Sequence, residues 1–159
     1  MDCNEEYLLR LKEAQRLCKE LGVGFLSEDY LHQEFLDCVK GYESDLEGGA
    51  RCQKCFDLRL KKTAETAKEK GFDYFTTTLT ISPLKNATLL NQLGQKNAEQ
   101  VGVEFLPTDF KKKGGYQRSI ELSKEFDLYR QDYCGCEFEF KEFKPLINIA
   151  IPCAGLAER

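Results

Sequence analysis

Two pairs of closely spaced cysteines are the residues of this sequence best suited to chemistry. Cys52 and Cys55 are separated by two residues at the start of a predicted amphipathic helix, and Cys134 and Cys136 are separated by one glycine. A Cys-x-x-Cys pair at a helix start places two thiols on one side of a turn, where they can share a metal. The helix N-terminus also favours thiolates at neutral pH. The alternative is a pair of small apolar residues in a core helix.

The second pair predicts redox chemistry. Cys134 and Cys136 can close a disulfide only as a strained small ring, and strain makes such a bond readily reducible. Gly135 between them allows the tight backbone shape that the ring needs. The pattern therefore favours a dithiol that cycles with its disulfide. A pair of metal ligands and a purely structural pair are the alternative interpretations.

Length, charge and cysteine content set the class of protein. The chain has 159 residues, a formal net charge of −4, eight cysteines and a single histidine. This length fits one domain with its own core, and the acidic balance does not favour non-specific nucleic-acid binding. With no apolar run that could span a bilayer and no signal peptide before Asp2, we expect a cytoplasmic protein without a membrane partner. Close cysteine pairs in a reducing cytoplasm are more often metal-binding or redox-active than structural. His32 is expected to be solvated or locally hydrogen-bonded.

Alternating helices and strands are predicted to position the cysteines. Apolar spacing predicts helices over residues 5–21, around 31–39, over 52–70, from Ser82-Pro83 through Ala98 and after Gly115, with strands over 23–26, 72–80 and 103–107. Strands separated by helices indicate an α/β domain with a parallel sheet flanked by helices. The carboxyl ends of such strands lie at one edge, where open sheets bind ligands.

The segment 76–86 is a predicted ligand cradle at this edge. A strand that ends in hydroxyls and leads into a capped helix offers backbone donors to an anion. The residues predicted to bind substrate here are Thr78, Thr80, Ser82, Lys85 and Asn86. Many α/β proteins have such a junction without a ligand, and that interpretation is the alternative.

A compact basic loop spans residues 111–118. Three lysines beside two glycines and an aromatic residue can hold a nucleic-acid backbone and stack on a base. We therefore predict contacts from Lys113, Tyr116 and Arg118. The alternative is a solvated charged turn.

Four stretches of the chain, in order, resemble the QueH-type epoxyqueuosine reductases. They are GARCQKCFDLRL at 49–60, FDYFTTTLTISP at 72–83, KGGYQRS at 113–119 and YRQDYCGC at 129–136. The resemblance runs from about Glu5 to Cys136, and four motifs in the same order make it far more specific than one cysteine pair. It implies a Rossmann-like reductase domain over residues 1–138, followed by a C-terminal extension over 139–159.

The resemblance also implies an activity and its cofactors. The expected reaction reduces epoxyqueuosine to queuosine at the wobble position of tRNA, in queuosine biosynthesis and without cobalamin. The expected cofactor is a [4Fe–4S] cluster with an additional iron nearby, and the expected partners are tRNA carrying epoxyqueuosine and an unidentified electron donor. Converting an epoxide to an alkene takes two electrons and two protons and releases water, which a cluster and a dithiol can serve.

Individual residues take their expected roles from the same match. Cys52 and Cys55 match two cluster ligands, and Cys134 and Cys136 match the redox-active disulfide. Asp132 and Tyr133 are the candidates for proton donation, and Arg130, in the same stretch, is expected to contact substrate.

The family pattern departs from this chain at its beginning. The pattern opens with a strand followed by adjacent cysteines that complete a four-thiolate site, whereas this chain enters the match downstream, at Met1-Asp2-Cys3. We therefore expect a sheet without its first strand and helix, and no ligand role for Cys3. The competing hypotheses are an inactive or truncated fragment that binds metal or RNA, and a zinc module. The zinc module would use four thiolates, from Cys52, Cys55, Cys134 and Cys136.

Overall fold

Helices dominate the computed structural model, which describes residues 3–30, 32–131 and 133–140. The helices are α1 (Cys3–Glu20), α2 (His32–Val39), α3 (Ala50–Glu69), α4 (Ala87–Val101), α5 (Gly115–Glu125) and α6 (Glu137–Phe140). The strands are β1 (Tyr74–Phe75) and β2 (Glu104–Phe105), and a short 3-10 helix covers Thr78–Ile81. Within the described ranges, every helix is too short or too polar to cross a bilayer. The chain is a mixed α/β protein and mostly helical.

The two described strands form a parallel sheet, as predicted. Tyr74 lies opposite Glu104, and Phe75 lies opposite Phe105. The helix α4 makes the crossover between them, which is the connection that parallel strands need. In the described part of the chain the sheet has these two strands, so it is smaller than the sequence pattern predicts.

The hydrophobic core lies between α3, α4 and this sheet. Leu60 and Leu90 are buried from the two helices, and the ring centroids of Phe75 and Phe105 are 5.1 Å apart beneath them. Gly94 of α4 rests directly on the Phe105 ring, which leaves no room for a Cβ atom. The close approach of α4 to the sheet therefore requires a glycine at this position.

A polar contact also joins α3 to α4. The Asp57 carboxylate accepts hydrogen bonds from Asn97 Nδ2 at 2.8 Å and from Lys96 Nζ at 3.0 Å. Burial acts to raise the pKa of Asp57, but these two partners outweigh it and hold the pKa below its usual value. The carboxylate therefore stays charged and keeps the two helices in register.

One predicted strand is absent from the described structure, and another is shorter than predicted. Residues 23–26 form no strand; after α1 the Val23 N–H bonds to the Cys18 carbonyl oxygen at 2.9 Å, which closes the helix end. The strand predicted over 72–80 is limited to Tyr74–Phe75. Its second half turns into the 3-10 helix because the Thr77 hydroxyl accepts a hydrogen bond from the Leu79 N–H at 3.2 Å.

The predicted start of α4 at Ser82-Pro83 is also wrong. The helix begins at Ala87, and the Asn86 side-chain oxygen accepts a hydrogen bond from the Leu89 N–H at 3.1 Å. Asparagine caps a helix as well as serine does, and Ser82 instead ends the 3-10 helix.

Candidate functional site: thiols at the start of α3

The first turns of α3 present Cys52 and Cys55. Both thiols are half-buried, and the Gly48 N–H donates to Cys52 Sγ at 3.2 Å. The Asp45 carboxylate accepts from the Arg51 N–H at 3.0 Å and so caps the helix. A backbone N–H is thus directed at the Cys52 sulfur atom. The helix start predicted from the sequence is therefore confirmed.

One cysteine of the second pair lies beside this helix start. Burial is the largest cause of the raised pKa of Cys55, and the Arg59 guanidinium opposes it through its charge and a hydrogen bond. Electrostatic interactions with Cys136 and Cys52 raise the pKa further, so Cys136 lies within electrostatic range of this helix start. At Cys55 burial thus outweighs the expected effect of the helix N-terminus. Among the described residues, however, no three His, Cys, Asp or Glu side chains form a group that could hold a metal ion.

The turn that carries Cys134 and Cys136 is held by Arg10 of α1. Arg10 Nη1 donates to the Cys134 carbonyl oxygen at 2.9 Å, and Nη2 donates to the Tyr133 carbonyl oxygen at 3.1 Å. Gly135 has a φ of 88°, and a Cβ atom on it would lie 3.0 Å from Arg10 Nη1. A glycine is therefore required here twice, by the backbone and by the guanidinium packed on it.

A buried carboxylate orients Arg10. Glu6 is 2% exposed, and its Oε1 accepts from Arg10 Nε at 2.6 Å. The Tyr129 hydroxyl donates to the same carboxylate at 3.1 Å. Burial and the Glu6 charge raise the pKa of Tyr133 to about 12. Tyr133 therefore keeps its proton at neutral pH. A general acid with a pKa nearer 7 would donate a proton more readily. The other candidate proton donor, Asp132, lies outside the described residues.

Part of the predicted cradle packs against the same end of α3. Lys85 Nζ lies 3.5 Å from Glu47 Oε1 and 5.6 Å from the centroid of the Phe56 ring. The Lys85 side chain is 12% exposed, so its charge sits close to the cysteine helix rather than in bulk solvent. Lys85 therefore brings a positive charge against Phe56, the residue that follows Cys55.

The other cradle residues divide between structural ties and exposed positions. Thr80 is fully buried, and its hydroxyl bonds to the Thr108 hydroxyl at 3.2 Å and accepts from the Phe110 N–H at 3.3 Å. Asn86 uses its side-chain oxygen as the α4 cap, whereas Thr78 is exposed. Ser82 accepts from the Leu84 N–H at 3.3 Å.

The basic loop leads into α5, which packs against the 3-10 helix. Lys113 is exposed with a φ of 53°, and Tyr116 is 38% exposed. Arg118 pairs with Glu121 at 3.2 Å and Glu125 at 3.6 Å. Arg130 contacts α5, where its Nη1 donates to Ser123 Oγ at 3.0 Å. The loop thus presents an exposed lysine and an exposed aromatic ring, while its arginine, Arg118, is already paired.

Two open clefts lie away from all these residues. One is lined by Lys68, Phe72 and Glu104 at the amino ends of the strands, and the other includes Leu26 and Tyr74 beside β1. Because parallel sheets bind ligands at their carboxyl edge, neither cleft coincides with the predicted site.

Sequence reasoning missed several residues around the cysteines. Arg51 is 4% exposed, donates to the Glu43 carbonyl oxygen at 3.0 Å and lies 5.4 Å from the Phe138 ring centroid. Its place between Gly49 and Cys52 was a signal that could have found it. The four-residue spacing of Glu6 and Arg10 on α1 was another, since it allows a salt bridge on a helix.

His32 is hydrogen-bonded to nearby Tyr30, as predicted, and also to Glu137, which is 105 positions away. Nδ1 lies 3.2 Å from the Tyr30 hydroxyl, and Nε2 lies 3.1 Å from Glu137 Oε2. His32 also belongs to a row of rings next to α6, formed by Tyr7, Tyr30, His32, Phe35 and Phe138. The row links α1 and α2 to the residues that directly follow Cys136.

The architecture and the thiols gathered at one helix start define a cysteine-centred α/β protein. The sequence model of the family described as "Epoxyqueuosine reductase QueH" matches residues 1–142, and the chain belongs to this family. The resemblance of the four motifs is thereby confirmed.

Relatives with the name Epoxyqueuosine reductase QueH cover most of this chain. The protein of Streptococcus pyogenes is 45% identical over 143 residues, which are 86% of this chain and 56% of the relative. That of Staphylococcus epidermidis is 40% identical over 141 residues, or 84% and 59%. That of Thermotoga maritima is 35% identical over 140 residues, or 86% and 73%. The chain thus spans little more than half the length of the first two relatives.

Proposed function

We propose that this chain acts as an epoxyqueuosine reductase, which converts epoxyqueuosine to queuosine at the wobble position of tRNA. The observation that carries the proposal is the match of the QueH family model to residues 1–142. An electrostatic interaction between Cys136 and Cys55, one member of each cysteine pair, supports it. A Rossmann-like sheet, a domain over residues 1–138 with an extension over 139–159, and a cytoplasmic location complete this proposal.

Cys52 and Cys55 are the proposed protein ligands of a [4Fe–4S] cluster with an adjacent iron and no cobalamin. Thiolates are the ligands that such clusters take, and the Gly48 N–H already donates to Cys52 Sγ. Arg59 beside Cys55 offsets negative charge at the site. These two residues fit half of a four-cysteine set. When bound, the group supplies electrons and a Lewis acid for the epoxide oxygen.

Cys134 and Cys136 are the proposed source of electrons within the chain. When their two S–H bonds break and one S–S bond forms, two electrons and two protons are released. Reduction of an epoxide to an alkene and water consumes the same number of each. An unidentified electron donor must then reduce the disulfide again. Proton delivery from Asp132 or Tyr133 is still a prediction, and the raised pKa of Tyr133 makes its phenol a weak acid for this step.

Substrate contacts are proposed on the surface between the cysteines and the basic loop. Exposed Lys113 and Tyr116 suit the phosphate backbone and a base of the tRNA, and Lys85 supplies positive charge near Cys55. The remaining proposed contacts are Thr78, Ser82, Asn86, Arg118 and Arg130, whereas Thr80 is fully buried and its hydroxyl is bonded to Thr108.

Anaerobic reconstitution with iron and sulfide tests the cofactor. We expect a broad visible absorption with about four irons per chain, and its loss in Cys55→Ser. Cys38→Ser is the matched control, because Cys38 is another half-buried thiol whose Sγ donates to the Lys54 carbonyl oxygen at 3.6 Å. One zinc per chain without a visible band would instead support the zinc module.

Turnover of tRNA that carries epoxyqueuosine tests the activity. The reconstituted chain is incubated with this tRNA and a chemical reductant, and the nucleosides are measured by mass spectrometry. We expect queuosine to form, and to be lost in Cys55→Ser. A chain that binds metal and tRNA but forms no queuosine would refute the reductase and support a non-catalytic fragment.

A further inference from the structure

Arg10 uses all three of its guanidinium nitrogens around the cysteine turn. Nε bonds to the buried Glu6 carboxylate, while Nη1 and Nη2 bond to the carbonyl oxygens of Cys134 and Tyr133. Hydrogen bonds from a charged donor are about twice as strong as neutral ones, and they are stronger still when partly buried. The Arg10 side chain is 27% exposed. The guanidinium therefore fixes two consecutive carbonyl groups of the turn.

The same guanidinium also packs on the glycine between the two cysteines. A Cβ atom on Gly135 would lie 3.0 Å from Nη1 and 3.2 Å from Cζ of Arg10. The turn is thus held by hydrogen bonds before the glycine and by van der Waals contact at the glycine. This arrangement leaves little freedom in the backbone that joins the two thiols.

A second arginine of α1 makes a comparable clamp away from the cysteines. Arg16 Nη2 donates to the carbonyl oxygens of Phe126 at 2.9 Å and Asp127 at 3.1 Å, and Arg16 also bonds to Glu13. Both arginines therefore tie α1 to the same late segment of the chain. Of these two arginines, Arg10 bonds to the cysteine turn and Arg16 bonds to residues before it. Comparing variants of the two therefore distinguishes anchoring of the segment from control of the thiols.

We propose that Arg10 is a positioning residue that holds Cys134 and Cys136 in the dithiol conformation. Both residues are thiols in this structure. The sulfur atoms of a disulfide are about 2 Å apart, so closing the small ring must tighten a backbone that Arg10 holds in place. The clamp therefore opposes oxidation. The inference rests on the proposed function only for the use of this pair as an electron source.

Redox titration of the full chain in glutathione buffers tests this inference. Oxidation breaks two S–H bonds and forms one S–S bond, while one glutathione disulfide takes up the two electrons and two protons and becomes two thiols. The fraction of Cys134–Cys136 disulfide is measured by thiol alkylation and mass spectrometry, with a chelator and without tRNA. The variants compared are Arg10→Lys and Arg16→Lys, which keep the charge but lose the planar fork that bonds two carbonyl oxygens.

We expect Arg10→Lys to shift the equilibrium toward the disulfide about tenfold, which corresponds to about 30 mV for a two-electron couple. Arg16→Lys is expected to stay within about twofold of the parent chain, because its carbonyl partners lie outside the turn. An equal shift in both variants, no shift in either, or a shift toward the dithiol in Arg10→Lys would overturn the inference.

A second variant keeps the test decisive if Arg10→Lys does not fold. Glu6→Gln leaves Arg10 in place but removes the charge that orients it, so a smaller shift toward the disulfide is expected, with thermal unfolding measured in parallel. An unchanged equilibrium in folded Glu6→Gln, with Arg10→Lys unfolded, would count against the clamp. Since the titration involves neither cluster nor tRNA, a chain without reductase activity would leave its result unaffected.

Discussion

Gly135→Ala tests how much the close contact between the cysteine turn and Arg10 contributes to stability. The alanine must adopt a left-handed backbone, which costs about 1–2 kcal/mol. Its Cβ atom must also displace the Arg10 guanidinium by a few tenths of an ångström from two carbonyl oxygens. Weakening two charged hydrogen bonds, each worth about 1.5–3 kcal/mol, adds about 1 kcal/mol. We expect a total loss of about 2–3 kcal/mol in the free energy of unfolding.

Gly41→Ala is the matched control for this prediction. Gly41 has a φ of 85°, close to the 88° of Gly135, but no atom lies within 4 Å of a Cβ added there. It therefore bears the backbone cost without the clash, and we expect a loss of about 1–2 kcal/mol. Urea unfolding under reducing conditions, followed by circular dichroism, measures both variants. Equal losses in the two variants would refute the argument that Arg10 packs firmly on the turn.

Three further predictions follow from the core, from Asp57 and from the basic loop. Leu90→Ala should lower the free energy of unfolding by about 2–5 kcal/mol because Leu90 is fully buried, whereas Leu84→Ala, 75% exposed, should change it by less than about 0.5 kcal/mol in the same urea assay. Asp57→Asn should destabilise the protein at neutral pH. Because the folded pKa of Asp57 is lowered, its stabilisation is present above the unfolded pKa of about 3.9 and is lost as the pH falls through the folded pKa. Unfolding measured from pH 7 to pH 2 should therefore show the difference in free energy of unfolding between variant and parent shrinking. A gap that is constant with pH would contradict this assignment. Lys113→Ala should reduce the slope of log tRNA affinity against log salt concentration by about 0.7–0.9. Lys61→Ala, at an exposed position of α3, should leave this slope unchanged. Equal slopes for both variants and the parent would count against the loop as the tRNA contact.

The sequence predicted the described elements of the fold well where the pattern was long. The apolar periods that predicted helices over 5–21 and 52–70 correspond to α1 and α3, and the parallel pairing of β1 with β2 followed from strands alternating with helices. Short strands were predicted less well. Residues 23–26 are apolar enough for a strand, but in the described structure they have no partner to pair with, and propensity alone does not supply one.

The cysteine pairs were visible in the sequence, but their relation to each other was not. Spacing places Cys52 and Cys55 on one turn, whereas nothing local brings Cys136 beside them after 80 residues of chain. Arg10 was missed for the same reason, because its carbonyl partners are more than 120 positions away. Thr80 was predicted from its hydroxyl at a strand exit, yet a hydroxyl serves internal ties equally well, and only burial distinguishes the two uses.

The arginines of α1 also affect the order in which the molecule assembles. The described residues 126–131 and 133–136 contain no regular secondary structure, and their hydrogen bonds to α1 span sequence separations of 110 to 124 residues. The packing of α3 on α4 joins neighbouring parts of the chain and can form first, since short loops close at a lower entropic cost. Docking of α1 must wait until the last of these residues has left the ribosome. The backbone that carries Cys134 and Cys136 therefore acquires its bonds to Arg10 only after this late segment has been synthesised, and it loses them when α1 detaches.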